Sequence, residues 1–134
     1  MAFGVATVVT SRGKAMVADR IRTTPATYTT SPKWIAVGTG ATSAARTAVV
    51  GDTALSTEVE TRAVGTESVQ TTSVTGDTYQ STGTISITGT RALDEGGLFD
   101  QLAVGGNMFT SATYNLINLL NGDSITFTWK VQFS

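Results

Sequence analysis

Ser124-Ile125-Thr126-Phe127-Thr128-Trp129-Lys130-Val131-Gln132-Phe133 is the stretch whose pattern decides the fold. Large apolar side chains fall on every second residue, the period of an extended strand, so Ile125, Phe127, Trp129, Val131 and Phe133 share one face. The intervening Thr, Lys and Gln residues take the other. Five large apolar groups on one face need a covering layer, and a strand that is polar on its second face belongs to an antiparallel sheet with one side in water.

The rest of the chain supplies elements for both layers. Gly76-Asp77 is a turn signal between two Thr-rich runs, residues 62–74 and 78–90, which read as a long hairpin. In its second arm Ile85 and Ile87 face one way while Thr84, Ser86 and Thr88 face the other. Residues 92–99 form a further strand, interrupted by Gly96-Gly97, and Gly105-Gly106 separates it from a strand over residues 107–114. Trp34-Ile35-Ala36-Val37 reads as a buried strand closed by the turn Gly38-Thr39-Gly40. It follows a Thr-, Ser- and Pro-rich loop, residues 23–32.

Residues 41–51 are small, polar and irregular, a loop of a length that is usually functional or mobile. After it, Asp52 or Thr53 is placed to cap one or two helical turns that carry Leu55 and Val59, and Glu58 and Arg62, at i,i+4. The charged pair is either a helix-surface contact worth about 0.2–0.5 kcal/mol or a buried anchor. Near the N-terminus, residues 3–9 alternate as a strand or a docking arm. Met16, Val17, Arg20 and Ile21 then fall at helical intervals behind the caps Thr10 and Ser11, which predicts a short helix over residues 12–21. The expected fold is mainly β: an antiparallel β-sandwich or jelly-roll-like single domain with one or two short helices. Residues 1–10 are the arm or strand, and residues 11–134 the β-rich domain.

Composition narrows the chemistry. The chain has 134 residues and neither cysteine nor histidine, which leaves no disulfide, thiolate nucleophile, imidazole base or Cys/His zinc site. Nine basic and ten acidic residues give a net charge of −1, and no segment gathers the Lys/Arg density that phosphate neutralisation requires, so nucleic acid is not an expected partner. No apolar run approaches the ~20 residues of a membrane span, and the first residues lack the basic region of a secretory leader. Synthesis in a cytoplasm is expected. Charged residues make up 14% of the chain, against 26 threonines and 11 serines. Such a surface of short hydroxyls suits strands, and its low charge favours lateral association.

The remaining catalytic candidates are carboxylates. Asp94, Glu95 and Asp100 cluster around Gly96-Gly97, but their spacing is not that of a calcium loop; a structural role for Glu95 is the alternative. Gly38-Thr39-Gly40 lacks the third glycine and the parallel βαβ setting of a dinucleotide fingerprint, and reads as a strand-ending turn. Arg12, Lys14, Arg20 and Arg22 form either a solvated basic face or a contact for an acidic partner. Trp129 is expected in the core. Trp34, at a strand entrance, is open to either core or interface. No catalytic, cofactor-binding or metal residue is assigned, and no enzyme activity or cofactor is expected.

Several of these segments follow one another in a set order: Trp34-Ile35-Ala36-Val37-Gly38-Thr39-Gly40, then Thr53-Ala54-Leu55 with Glu58 and Arg62, then Glu95-Gly96-Gly97-Leu98-Phe99-Asp100, then Gly105-Gly106-Asn107-Met108-Phe109, and finally Gly122-Asp123-Ser124-Ile125-Thr126-Phe127-Thr128-Trp129. The series, over roughly three-quarters of the chain, resembles the capsid decoration, or cement, proteins of tailed bacteriophages and related small virion β-domains. The resemblance implies a non-enzymatic virion protein on the outer capsid surface. It would bind the lattice of major capsid protein, as a homo-oligomer with a trimer favoured, through the N-terminal strand and the loop over residues 41–51. Similar segments occur in tail and baseplate proteins, so a small tail, baseplate or head-to-tail connector component is the alternative. The ending of the chain directly after the domain favours the capsid.

Overall fold

The structure, a computed structural model, describes residues 6–22, 24 and 27–134. Strand β1 (Ala6–Val9) leads into helix α1 (Ser11–Ile21), and seven strands follow: β2 (Trp34–Thr39), β3 (Thr57–Val64), β4 (Thr66–Gln70), β5 (Thr78–Ser86), β6 (Arg91–Phe99), β7 (Met108–Leu119) and β8 (Ser124–Gln132). They form two antiparallel sheets, one of five strands in the order β1-β7-β6-β2-β3 and one of three in the order β4-β5-β8. The chain is thus mainly β, with one short helix among the described residues, arranged as a single β-sandwich.

The alternating C-terminal stretch is β8, paired with β5 over its whole length from Ser86↔Ser124 to Thr78↔Gln132. Its apolar face turns towards the five-stranded sheet, but the cover is uneven. Trp129 and Val131 are buried, Ile125 and Phe127 are half-buried, and Phe133 lies beyond the strand and is exposed. The hairpin around Gly76-Asp77 forms as β4 and β5, and Ile85 and Ile87 are both inside while Thr84, Ser86 and Thr88 are exposed. The first arm is shorter than its Thr-rich run, because the chain passes from one sheet to the other at Gly65, between β3 and β4. The core between the sheets is built by Ile35, Val37, Ile85, Leu93, Leu98 and Trp129, closed at one end by Met16 of α1. Each fully buried aliphatic side chain there contributes about 1.5–3 kcal/mol relative to exposure.

Local chemistry explains the helix. Thr10 is its N-cap, extended in backbone, and its Oγ1 accepts from Gly13 N at 2.9 Å while donating to Met108 O. One side chain therefore starts α1 and fastens it to β7. Of the N-terminal arm or strand, Ala6–Val9 is the edge strand β1, with Val9 opposite Thr110; the remaining residues 1–5 lie outside the described residues.

Two expectations fail here. The segment carrying Leu55, Val59, Glu58 and Arg62 is not helical: it leads into β3. Val59 pairs with Val37 and Ala63 with Ile35, so four steps along β3 match two along β2, with Glu60 at φ 63° in the resulting bulge. The bulge shortens the distance between Glu58 and Arg62, giving a strand the contact that i,i+4 spacing gives a helix. β-branched Thr57, Val59, Thr61 and Val64 and an available edge on β2 outweigh the weak local helix signal. The second correction concerns β6, which runs through Gly96-Gly97 without a break. Gly96 faces inward, with the Trp129 ring at ordinary contact distance, while at Gly97 a Cβ would stand 2.9 Å from Cε2 of the buried Phe99 ring, so that glycine makes room for it.

Candidate functional site

The outer face of the five-stranded sheet holds the charged groups that the sequence singles out. It is covered by the irregular segment of residues 40–56. Glu95 on β6 is fully buried beneath this segment. Its Oε2 accepts from Arg46 Nη1 at 2.9 Å and its Oε1 from Thr57 N at 3.0 Å. Gly38, opposite Glu95 on β2, has to be glycine: a Cβ there would lie 2.6 Å from Glu95 Oε1. Arg46 also stands 2.8 Å from Asp52 Oδ2, an ion pair by distance whose Nη2 lacks the angle of a hydrogen bond. Asp52 in turn accepts from Ser111 Oγ on β7 and from Val49 N, and Thr113 Oγ1 accepts from Ala48 N.

The two neighbouring acids are engaged separately. Asp94 accepts from Ala41 N at 3.1 Å and Thr42 N at 2.7 Å, fixing the turn that follows Gly40, a residue at φ 99°. Asp100 accepts from Asn107 N and Nδ2, closing the β6–β7 loop. Asp94, Glu95 and Asp100 thus hold three different pieces of chain, and among the described residues no group of three potential ligands is arranged to bind a metal ion. Tyr114, whose hydroxyl donates to Glu95 O at 2.8 Å, has its pKa raised by burial and by the nearby Asp94 and Glu95 charges.

Arg62 is the buried anchor, one of the two readings its spacing left open. Its guanidinium forms a two-pronged pair with Glu58 at 2.7 and 2.9 Å, donates to Gln101 O and Gly105 O, and stacks 3.7 Å from the centroid of the Phe99 ring. The loop it holds presents Leu102 and Val104 to solvent, Val104 at 80% exposure. Trp34 is half-buried and packs on Phe99, Met108 and Leu55. The basic residues of α1 and its C-cap are exposed and take separate tasks: Arg12 bonds the Tyr28 hydroxyl, Arg20 bonds Thr29 O, and the C-cap Arg22 pairs with Asp19.

Three further features have no clear sequence signal. Arg46 sits in a run of Ala and Thr with no periodic partner. Glu60 pairs with Arg91 and accepts from Thr88; burial raises its pKa, but the bonds from Thr88 and Arg91 outweigh that, and the net shift is downward. The third is an apolar groove of about 310 Å³ between β8 and the β7–β1 side of the larger sheet. Comparison of the chain with protein-family models, with curated proteins and with solved structures finds no match.

Proposed function

We propose that this chain is a non-enzymatic virion structural protein that decorates and stabilises a bacteriophage capsid shell, bound as a homo-oligomer, with a trimer favoured, to the outer surface of the major capsid protein lattice. The observation that carries the reading is the division of labour among side chains. Arg22, Lys33, Arg46, Arg62 and Arg91 are tied to carboxylates of the same chain. Val64, Val69, Val104 and Leu120, by contrast, are each more than half exposed. The outer face of the smaller sheet carries hydroxyl pairs, Thr82 with Thr128 and Thr84 with Thr126.

A rigid β-domain with neutral, hydroxyl-rich and locally apolar surfaces is suited to adhesion by shape and apolar contact, and such contacts are only mildly sensitive to salt. A protein that binds only the assembled lattice stabilises it in proportion to RT ln(1 + [L]/Kd) at every site. The test is a heating series on particles with and without the protein, followed by nuclease-accessible DNA. Complete particles are expected to retain DNA to a higher temperature. Equal heat resistance of the two kinds of particle overturns the reading.

A further inference from the structure

The five-stranded sheet is wider than the sheet that covers it. Because Trp129 of β8 lies over Gly96 of β6, strands β7 and β1 extend past β8. Above them lies the apolar groove, with Ala112, Tyr114 and Ile117 of β7 and Thr7 of β1 as floor and Ile125 and Phe127 of β8 as wall. None of its described lining residues is charged.

The wall of this groove is also a free main-chain edge. Among the described residues β8 pairs only with β5. Ile87 N donates to Asp123 O at one end of the ladder and Phe133 N donates to Asp77 O at the other. The odd-numbered residues between them therefore turn their main-chain groups towards β5, and those of Thr126, Thr128 and Lys130 turn to the open side. The strand is nine residues long, with no proline, no register shift and one charge, Lys130, so it lacks most of the devices that protect sheet edges. In the same wall, the buried Trp129 Nε1–H has no acceptor among the described residues.

We propose that this slot accepts an extended segment of another protein chain, which joins the smaller sheet as a fourth strand beside β8. Its chemistry follows from the slot. Main-chain groups facing Thr126, Thr128 and Lys130 supply the hydrogen bonds, and apolar side chains at every second position fill the groove. The neutral lining selects an uncharged segment, since a charge placed there would be desolvated without a partner. A second copy brought up edge to edge is disfavoured, because the overhanging β7 and β1 of the two molecules would meet before their β8 strands came within ladder distance of about 4.8 Å. Strand acceptance is a property of the fold and does not depend on residence in a virion.

The test uses the full chain and the capped peptide Ac-KTVTFTVTK-NH2, whose central residues alternate Thr with Val or Phe and whose terminal lysines keep it soluble. On saturation, amide hydrogen exchange at Thr126, Thr128 and Lys130 is expected to slow about tenfold or more, while Phe127 and Trp129, whose amides already face β5, change little. Thr128→Pro removes one open-side donor from an edge strand and is expected to abolish binding. Phe127→Ser keeps every main-chain group, weakens binding about tenfold by removing apolar contact, and serves if the proline variant does not fold. Absence of saturable protection overturns the proposal, as does unchanged binding by folded variants. So does protection already present in the free protein, whether it disappears when residues 1–5 are deleted or grows with protein concentration; the first result would assign the slot to the chain's own terminus and the second to another copy.

Discussion

The two faces of the five-stranded sheet are covered in opposite ways. On the inner face a second sheet supplies Ile85, Ile87, Trp129 and Val131, and the contact is an apolar core. On the outer face an irregular segment is held by Arg46, Glu95 and Asp52, with Ser111 and Thr113 completing the attachment. A regular strand buries side chains by its period, so its cover can be apolar. An irregular segment leaves main-chain groups to be satisfied, and isolated carboxylates aimed at those N–H groups do that work.

The largest expected effect lies on the inner face. Trp129→Ala should cost about 3–5 kcal/mol in urea unfolding; a loss under about 1 kcal/mol would mean that the ring is not part of the core. Glu95→Gln should cost about 3 kcal/mol by leaving Arg46 poorly compensated, within the range for breaking a buried pair. It should also speed proteolysis within residues 41–56. Replacing Glu95 and Arg46 together by methionine should cost less than either single change, which a double-mutant cycle reads directly. If the losses simply add, the two side chains are not a coupled clamp.

Thr10→Ala probes the joint between helix and sheet and should cost about 1–2 kcal/mol, with α1 losing exchange protection before β5 and β8. Titration separates the two ends of the pH scale. Main-chain N–H groups of Thr72, Val74 and Ser73 hold the Asp77 carboxyl below its ordinary range. That contribution is therefore complete above about pH 4 and is lost as the pH falls further. Burial raises the hydroxyls of Tyr79 and Tyr114, with Glu67 adding to the first. Their contribution is complete below about pH 10 and is lost as the pH rises through their folded-state values. Stability measured against pH should fall at both ends, and Asp77→Asn should flatten only the acid limb. The smallest change is expected for Val104→Ser, within about 0.5 kcal/mol, because the side chain meets solvent rather than core.

The inner face is largely legible in the sequence. The unbroken alternation of residues 124–133 and the paired Ile85 and Ile87 report a packed layer, and Thr10 announces a helix start. Trp34 to Val37 is equally clear, because a short apolar run with glycines behind it has few other solutions. The outer face is not legible in the same way. Glu58 and Arg62 at i,i+4 describe a helix and a bulged strand equally well, and only pairing with β2 decides between them. Gly96-Gly97 looks like an interruption because a sequence does not show that Phe99 and Met108 crowd the position of Gly97. Arg46 carries no periodic signal, since its partners are Asp52 six residues on and Glu95 on another strand. The groove beside β8 is hidden for a related reason: Ile125 and Phe127 alternate as regularly as Trp129, and only the unequal widths of the two sheets leave them half-covered.

The most direct measurement of the proposed function is the copy number of this chain in purified phage virions, by quantitative mass spectrometry against the major capsid protein. Capsid decoration predicts hundreds of copies per particle, in fixed proportion to the major capsid protein. A handful of copies would place the chain in the tail or connector, and its absence from particles would contradict a virion role altogether.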